Sequence, residues 1–123
     1  MSQDNVADVL NNIMNAKKAR KTNLVTTKFS KLLMSILELM KQYGYIDYIF
    51  EEGKLTIEFK ELNECRAIKP RYTVNKKNIN EYVKRFLPAR NFGYIIVSTN
   101  KGLMTHQDAA DSKVGGSLIA YFY

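Results

Sequence analysis

Apolar side chains recur at helical spacing in two segments of the first half of the chain. They fall at i, i+3, i+4, i+7 and i+8 from about residue 4 to 19, and a similar set follows from about 29 to 43. Asp4 is expected to cap the first helix, and Gly44 stands where a glycine commonly follows a helix. The side chains predicted to face inward are Val6, Val9, Leu10, Ile13, Met14, Phe29, Leu32, Leu33, Met34, Ile36, Leu37 and Met40.

Strand-forming residue types lie between and after these helices. Residues 24–27 are β-prone, and residues 45–50 and 54–59 are predicted strands. The loop that joins the last two, 51–53, is short and ends in glycine, which is typical of a hairpin. The first half therefore has the predicted order α-β-α-β-β.

The second half has a different pattern. Residues 66–74 form a predicted strand that Pro70 breaks, so it is expected at a sheet edge or bend. A helix is predicted over 76–86, and Pro88 ends it. The apolar run 93–97 is predicted to be a buried strand. The expected fold class is α+β with two small modules, an N-terminal one over 1–67 and a β-rich C-terminal one with short helices over 68–123.

The last 26 residues combine many small polar groups. A run of hydroxyls and amides leads into a turn at Lys101-Gly102, and Thr105 is a candidate cap for a short helix with Asp108 three places on. Gly115-Gly116 is predicted to turn with positive φ, before a closing apolar strand. The formal charge of residues 98–123 is zero, so we expect this segment to bind by shape and hydrogen bonds.

Charge narrows the choice of partner. The chain of 123 residues carries a net charge of +7 and has a pI near 9.5, which indicates nucleic acid or an anionic membrane surface. No apolar run approaches the roughly 20 residues of a membrane span, and the N-terminus does not resemble a signal peptide. A single cysteine excludes an internal disulfide and a multi-cysteine zinc site. A protein of a reducing compartment, the cytoplasm, is expected.

The positive charge is concentrated in two windows. Residues 66–90 hold eight cations and one acid, so this window alone equals the net charge of +7, and residues 16–31 hold six cations and no acid. Clustering of this kind favours contacts with phosphates, although many surface lysines are simply solvated. The cations are Lys17, Lys18, Arg20, Lys21, Lys28 and Lys31 in one window, and Arg66, Lys69, Arg71, Lys76, Lys77, Lys84, Arg85 and Arg90 in the other.

Groups for catalysis are sparse. Cys65, His106 and Asp108 would be needed for thiol or metal chemistry, but the chain has one cysteine and one histidine. His106 adjoins a predicted helix cap and is expected at the surface or facing a nucleic acid. We therefore predict no enzyme, metal or cofactor. The aromatic residues Tyr121 to Tyr123 suit base stacking, although core packing is expected for at least one of them.

Several blocks of the chain, in order, resemble one known family. The residues that match the first helix of that family are Asp4, Ala7, Asp8, Leu10, Ile13, Asn15 and Ala16. Those that match its second helix and the turn after it are Ser30-Lys31 and Gly44-Tyr45-Ile46. Lys69-Pro70-Arg71-Tyr72, Leu87-Pro88-Ala89-Arg90 and the tail from Ser98 complete the set. The chain thus resembles the small-subunit ribosomal protein eight (S-eight) family, closest to its archaeal and eukaryotic branch. That family usually carries serine or a similar small residue at the position of Asn100.

This resemblance implies a structural constituent of the small ribosomal subunit. It implies direct binding to an irregular stem in the central domain of the ribosomal RNA, mainly by the C-terminal module, and contacts with neighbouring ribosomal proteins, but neither a membrane nor a small-molecule substrate. The candidate RNA-binding residues are Asn15, Lys17, Lys18, Arg20, Ser30, Lys31, Lys69, Arg71, Lys84, Arg85, Arg90, Ser98, Thr99, Asn100, Lys101, Gly102, Met104, Thr105, Gly115, Gly116 and Tyr121.

Two other functions compete with this one. A regulatory module that binds messenger RNA would use the same surface, and some family members also bind their own messenger RNA. A small enzyme would need Cys65 or His106. The match to the family favours the ribosomal function over both.

Overall fold

The computed structural model describes residues 5–27, 30–68, 72–75, 77–89 and 92–123. It has four helices and eight strands in these ranges and belongs to the predicted α+β class. The chain divides into two compact units, Met1–Arg66 and Ala67–Tyr123. The elements are α1 Asn5–Lys18, β1 Asn23–Thr26, α2 Lys31–Gln42, β2 Ile46–Glu51, β3 Lys54–Phe59, β4 Cys65–Ala67, β5 Thr73–Val74, α3 Ile79–Phe86, β6 Tyr94–Thr99, β7 Gly102–Thr105, α4 His106–Asp111 and β8 Gly116–Phe122.

The first unit has the predicted order α-β-α-β-β. Its three strands form an antiparallel sheet with the order β1-β3-β2. The predicted apolar stripe of α1 is buried, and α2 buries Leu33, Ile36, Leu37 and Met40. Leu32 and Met34 are not part of this buried set, while Asp4 and Phe29 lie outside the described residues.

Local hydrogen bonds define both ends of α2, which is shorter than the predicted 29–43. At its start the Ser30 hydroxyl accepts a hydrogen bond from Leu33 N–H at 3.2 Å. At its end Gly44 has φ +84°, its N–H donates to Lys41, and Tyr45 N–H donates to Met40. This is the Schellman pattern, in which the residue after the cap must be left-handed and glycine bears no penalty.

The predicted β2–β3 hairpin is confirmed. Glu51 pairs with Lys54, so the loop contains only Glu52 and Gly53, with φ values of 51° and 74°. Two consecutive left-handed residues are the geometry of a type I′ turn, whose twist matches that of the adjoining strands.

The second unit is built on a sheet with the order β4-β8-β6-β7, and β5 also pairs with β8. β4 lies where the chain passes from the first unit to the second. One face of the sheet is covered by α3 and α4. Its core contains Ile68, Val74, Ile79, Val83, Leu87, Ile95, Val97, Ala109 and Leu118.

Three predicted elements of this unit differ from the structure. The strand predicted over 66–74 is two short strands, β4 and β5, and Pro70 lies outside the described residues. The helix predicted over 76–86 begins at Ile79, because the Asn75 side chain accepts from Lys77 N–H at 2.8 Å and holds a turn first. The strand predicted over 93–97 is β6, which continues to Thr99 because it pairs with β7, a strand that the pattern did not predict.

The prediction of positive φ at Gly115-Gly116 is wrong. Neither glycine is left-handed, and the left-handed residue of this turn is Lys113, with φ 57°. Glycine is needed at both positions because the neighbouring backbone leaves no room for a side chain. A Cβ at Gly116 would lie 2.8 Å from the carbonyl carbon of Ser98, and one at Gly115 would lie 3.0 Å from the Cα of Asn75.

Replacing Gly116 with alanine should therefore destabilise the second unit. The atoms that meet the new methyl group belong to the Ser98 backbone, which cannot move without breaking its pairing with β8, and we expect a loss of about 1–3 kcal/mol in unfolding free energy. Denaturant unfolding of the full chain measures this loss. Ser117→Ala, one residue away, is the control and should change stability by less than about 0.5 kcal/mol. Equal stability of the two variants would contradict the close approach of β6 and β8.

Candidate nucleic-acid interface

The β6–β7 hairpin presents the polar segment that the sequence singled out. Thr99 pairs with Gly102, which leaves Asn100 and Lys101 as an exposed two-residue tip. The Thr99 hydroxyl donates to Gly102 O at 2.8 Å and accepts from Lys101 N–H at 3.0 Å. Thr99 thus supports the turn, and Gly102 supplies its left-handed residue at φ +107°. The groups at the hairpin tip are the Asn100 amide and the Lys101 ammonium.

Hydroxyl side chains form a row beside this hairpin. Ser98 on β6 lies opposite Ser117 on β8, which in turn lies opposite Thr73 on β5. Residues directly opposite one another share a sheet face, and this face is the one opposite α3, since the neighbouring Val97, Leu118 and Val74 belong to the core. We call Ser98, Ser117 and Thr73 the hydroxyl row.

Two members of the hydroxyl row were missing from the predicted site. Ser117 directly follows Gly115-Gly116, so its place in the sequence was a usable signal. Thr73 is 25 residues from Ser98 in the chain, and only the register of three strands brings them into one line. Strand spacing of about 4.8 Å places the outer two roughly 10 Å apart.

Three residues proposed or considered as RNA-facing make contacts within the fold. Thr105 is fully buried, and its hydroxyl caps α4 by accepting from Asp108 N–H at 3.3 Å. The expectation of a surface His106 is wrong, because it is buried and its Nδ1 accepts from Ile95 N–H at 3.1 Å. Met104 is half-buried and packs on the core of the second unit. The predicted cap role of Thr105 is thereby confirmed, and its burial contradicts the predicted RNA contact by the same residue.

Tyr121 lies on the other face of the sheet from the hydroxyl row. Its ring stacks on Phe86 of α3 with centroids 5.6 Å apart, and on Tyr123 at 6.2 Å. The Arg85 guanidinium of the same helix lies over Phe86 and over Tyr72, 5.6 and 5.2 Å from the ring centroids. Phe122, between the two tyrosines, is buried, so the expectation that one of the three terminal aromatic residues is core is confirmed.

The candidates of the first unit lie at helix ends. Lys18 and Arg20 are exposed at and after the end of α1, as is Asn15 in its last turn, while half-buried Lys17 lies 5.7 Å from the centroid of the Phe59 ring. Ser30 caps α2, and Lys31 is exposed at the start of that helix.

Charge divides unevenly between the units. Residues 67–123 carry nine cations and three acids, while residues 1–66 carry ten cations and nine acids. Lys77, Lys84 and Arg85 are exposed in the second unit. Of the other cations in the 66–90 window, Arg66 is exposed in the first unit, and Lys69, Arg71, Lys76 and Arg90 lie outside the described residues.

Burial suppresses the chemistry of the candidate nucleophile. It raises the pKa of the Cys65 thiol to about 12, and the thiol faces Leu10 O at 3.8 Å. Within the described ranges, no group of three or more His, Cys, Asp and Glu side chains is placed to hold a metal ion. In the same ranges, no helix is long and apolar enough to cross a membrane.

These features define a small basic α+β protein with a polar hairpin surface, uncharged apart from Lys101, that is suited to hydrogen bonding. The chain belongs to the ribosomal protein S8 family, whose model matches residues 4–123. The small ribosomal subunit protein uS8 of Picrophilus torridus is 40% identical to it and that of Nanoarchaeum equitans 42%, each over an alignment covering the whole of both chains. The predicted resemblance is confirmed, and with it the prediction of a structural protein that is not an enzyme.

Stability should depend on pH through His106. Burial lowers its pKa below the ordinary value, with Asp108 opposing the shift, and a protonated Nδ1 could not accept from Ile95 N–H. Between the lowered pKa of the folded protein and the ordinary pKa of the unfolded chain, His106 therefore binds a proton in the unfolded chain but not in the folded protein. This contribution to stability is complete above about pH 6.5 and is lost as pH falls through the lower folded pKa.

Denaturant unfolding of the wild type and His106→Asn between pH 5 and 8 measures this effect. Asparagine offers an amide oxygen near the position of Nδ1 and does not titrate, so the wild type should lose more stability than the variant on acidification. His106→Ala should cost about 1–3 kcal/mol at pH 8, since Ile95 N–H is left unpaired. Parallel pH profiles for the wild type and His106→Asn would contradict the prediction.

Proposed function

We propose that this protein is a structural constituent of the small ribosomal subunit that binds an irregular stem in the central domain of its ribosomal RNA. The observation that carries the proposal is the hydroxyl row beside the exposed Asn100-Lys101 tip. Hydroxyls and amides both donate and accept, so they suit base edges and 2′-hydroxyls. Such contacts confer specificity, while phosphate contacts position the protein.

Affinity comes from the surrounding cations. The second unit, with its net charge of +6, provides the main RNA-binding surface, and Lys77, Lys84 and Arg85 are exposed cations that can meet phosphates. The hydroxyl row itself is uncharged. An irregular stem with splayed bases can fill it, whereas a regular duplex presents mainly backbone.

The first unit makes auxiliary contacts through the turn after α1. Arg20 has φ 62° at the position that Gly44 occupies after α2, and Arg20 and Lys21 N–H donate to Lys17 and Ala16 in the same Schellman pattern. An arginine there bears a conformational cost that glycine avoids. Residues with strained backbone angles are concentrated at functional sites. The function that we assign to Arg20 is a contact between its guanidinium and an RNA phosphate. With this unit included, the protein supports subunit assembly and translation in the ribosome of the cytoplasm.

Substitutions in the hairpin should reduce specificity for the cognate stem. Ser98→Ala or Asn100→Ala should weaken binding to the cognate stem by about 1–3 kcal/mol, since a buried RNA group loses its partner. Asn100→Ser restores the group usual in the family and should be tolerated. Titrations at fixed salt against the cognate stem and a plain duplex measure both effects. Equal weakening on the two RNAs would mean that the hairpin acts only as backbone support.

The salt dependence of binding should reside in the basic window. Replacing Lys77, Lys84 and Arg85 with glutamine should flatten the slope of log K against log salt by roughly 0.7–0.9 for each phosphate that no longer has a cationic partner. Preference for the cognate stem should remain. Lys41, Lys54 and Lys60, exposed in the first unit, are the matched control because their replacement removes the same charge. If both triple variants have the wild-type slope, the three cations of the second unit face solvent in the complex.

A further inference from the structure

A cleft of about 340 Å³ lies beside α3 in the second unit. Ligand sites in proteins have volumes of roughly 300–1,000 Å³, so the cleft has room for one small ring system. Positions 80, 83, 84 and 87 follow helical spacing and form one stripe along α3, and the chain that leaves the helix supplies the rest of the wall. The lining residues are Asn80, Val83, Lys84, Leu87, Pro88 and Ala89.

Hydrogen bonds and packing hold the wall that follows α3. Leu87 N–H donates to Val83 O at 3.0 Å, and Phe92 N–H donates to Ala89 O at 3.1 Å. The second bond belongs to an antiparallel bridge between Ala89 and Phe92. A Cβ at Gly93, next to that bridge, would lie 3.2 Å from Leu87 Cδ2. The wall is thus fixed against the start of β6, and the cleft is preformed, as ligand sites usually are.

The cleft combines an apolar floor with two exposed polar groups. Val83 and Leu87 form the floor and are 3% and 5% exposed. Asn80 and Lys84 are exposed and lie one helical turn apart. The Asn80 amide can both donate and accept hydrogen bonds, as the edge of a base does, and the Lys84 ammonium suits a phosphate. Next to the wall, Phe92 is 49% exposed and presents an aromatic ring on which a neighbouring base can stack.

Charge favours a nucleotide over a protein side chain as the occupant of the cleft. None of the described lining residues is acidic, and the second unit has a net charge of +6. A protein that covered the cleft would take Asn80 and Lys84 out of water, which is costly unless both find partners. A nucleotide supplies a base edge for the amide, a phosphate for the ammonium and an apolar ring face for the floor.

We propose that this cleft binds one unpaired nucleotide of the small-subunit ribosomal RNA, in a segment other than the stem held by the hydroxyl row. The base lies on Val83 and Leu87, and the phosphate meets Lys84. Because α3 covers one face of the sheet and the hydroxyl row lies on the other, a single regular stem does not reach both. The inference rests on the proposed function and adds a second RNA site to it.

Filling the cleft tests the proposal. Ala89 is exposed, so Ala89→Phe places a ring at the cleft without disturbing the core. Affinity for deproteinised small-subunit RNA should fall on the order of tenfold, the loss expected for one stacked base. Affinity for the isolated stem should stay within about twofold of the wild type. Wild-type affinity of this variant for the long RNA, or equal losses on the two RNAs, would overturn the proposal.

Gln107→Phe is the matched control. It adds the same ring at an exposed position of α4, outside the cleft and the hydroxyl row, and it should bind both RNAs as the wild type does. Melting temperatures of the two variants within about 4 °C of the wild type show that neither ring has disturbed the fold.

A crosslink identifies the occupant and does not require a filled cleft. A diazirine-bearing lysine analogue replaces Lys84 in the full chain, which is reconstituted with small-subunit RNA and the mixed small-subunit proteins. Irradiation should join position 84 to an unpaired nucleotide outside the stem. Adding Ala89→Phe should lower that yield about fivefold or more, while adding Gln107→Phe should not. Crosslinks mainly to a protein or to paired nucleotides would overturn the proposal.

Free nucleoside monophosphates carry the same base and phosphate as a nucleotide of the RNA. Equilibrium dialysis of the full chain against AMP, GMP, CMP and UMP separates the two sources. A Kd on the order of 1 μM for any of them would assign the cleft to a free nucleotide and overturn the RNA site.

The two proposals fail in different ways. If the wild-type chain does not bind small-subunit RNA, the proposed function is wrong, and the second RNA site with it. If the wild-type chain binds the stem and Ala89→Phe has wild-type affinity for the long RNA, only the assignment of the cleft is wrong.

Discussion

The pairing of β6 with β8 is the interaction on which the second unit depends. It brings Val97 and Leu118 together on the face under α3, and Ser98 and Ser117 together on the opposite face. Gly116 permits this pairing because a side chain there would meet the Ser98 backbone. A slip of one residue would exchange the two faces, placing hydroxyls in the core and apolar side chains in the candidate interface. The same register thus determines both the core and the candidate interface.

Polar side chains that resemble contact residues have a second use in this protein. Ser30 and Thr105 cap helices, Thr99 closes the hairpin turn, and His106 accepts the N–H of Ile95 beyond the last β6–β7 pair. Each satisfies backbone groups that would otherwise lack a partner. Because these side chains form hydrogen bonds within the fold, the groups of the hairpin region that we consider available to a ligand are Asn100, Lys101 and the hydroxyl row.

The two units differ in the partners that their surfaces suit. The second unit combines an excess of cations with an uncharged polar row, which is appropriate for phosphates and base edges. The first unit is nearly neutral, with ten cations and nine acids.

The sequence alone determined most of the local structure and the family. Helical periodicity identified both helices of the first unit, Gly44 and Gly53 marked their turn and hairpin, and Thr105 marked the cap of α4, because these signals depend on neighbours a few residues away. The ordered blocks of matching residues identified the family over nearly the whole chain. Strand β7, the burial of His106 and the place of Thr73 beside Ser98 were decided only by the tertiary structure. They depend on the register of strands far apart in the chain, and side-chain periodicity gives the face of a strand but not its partner.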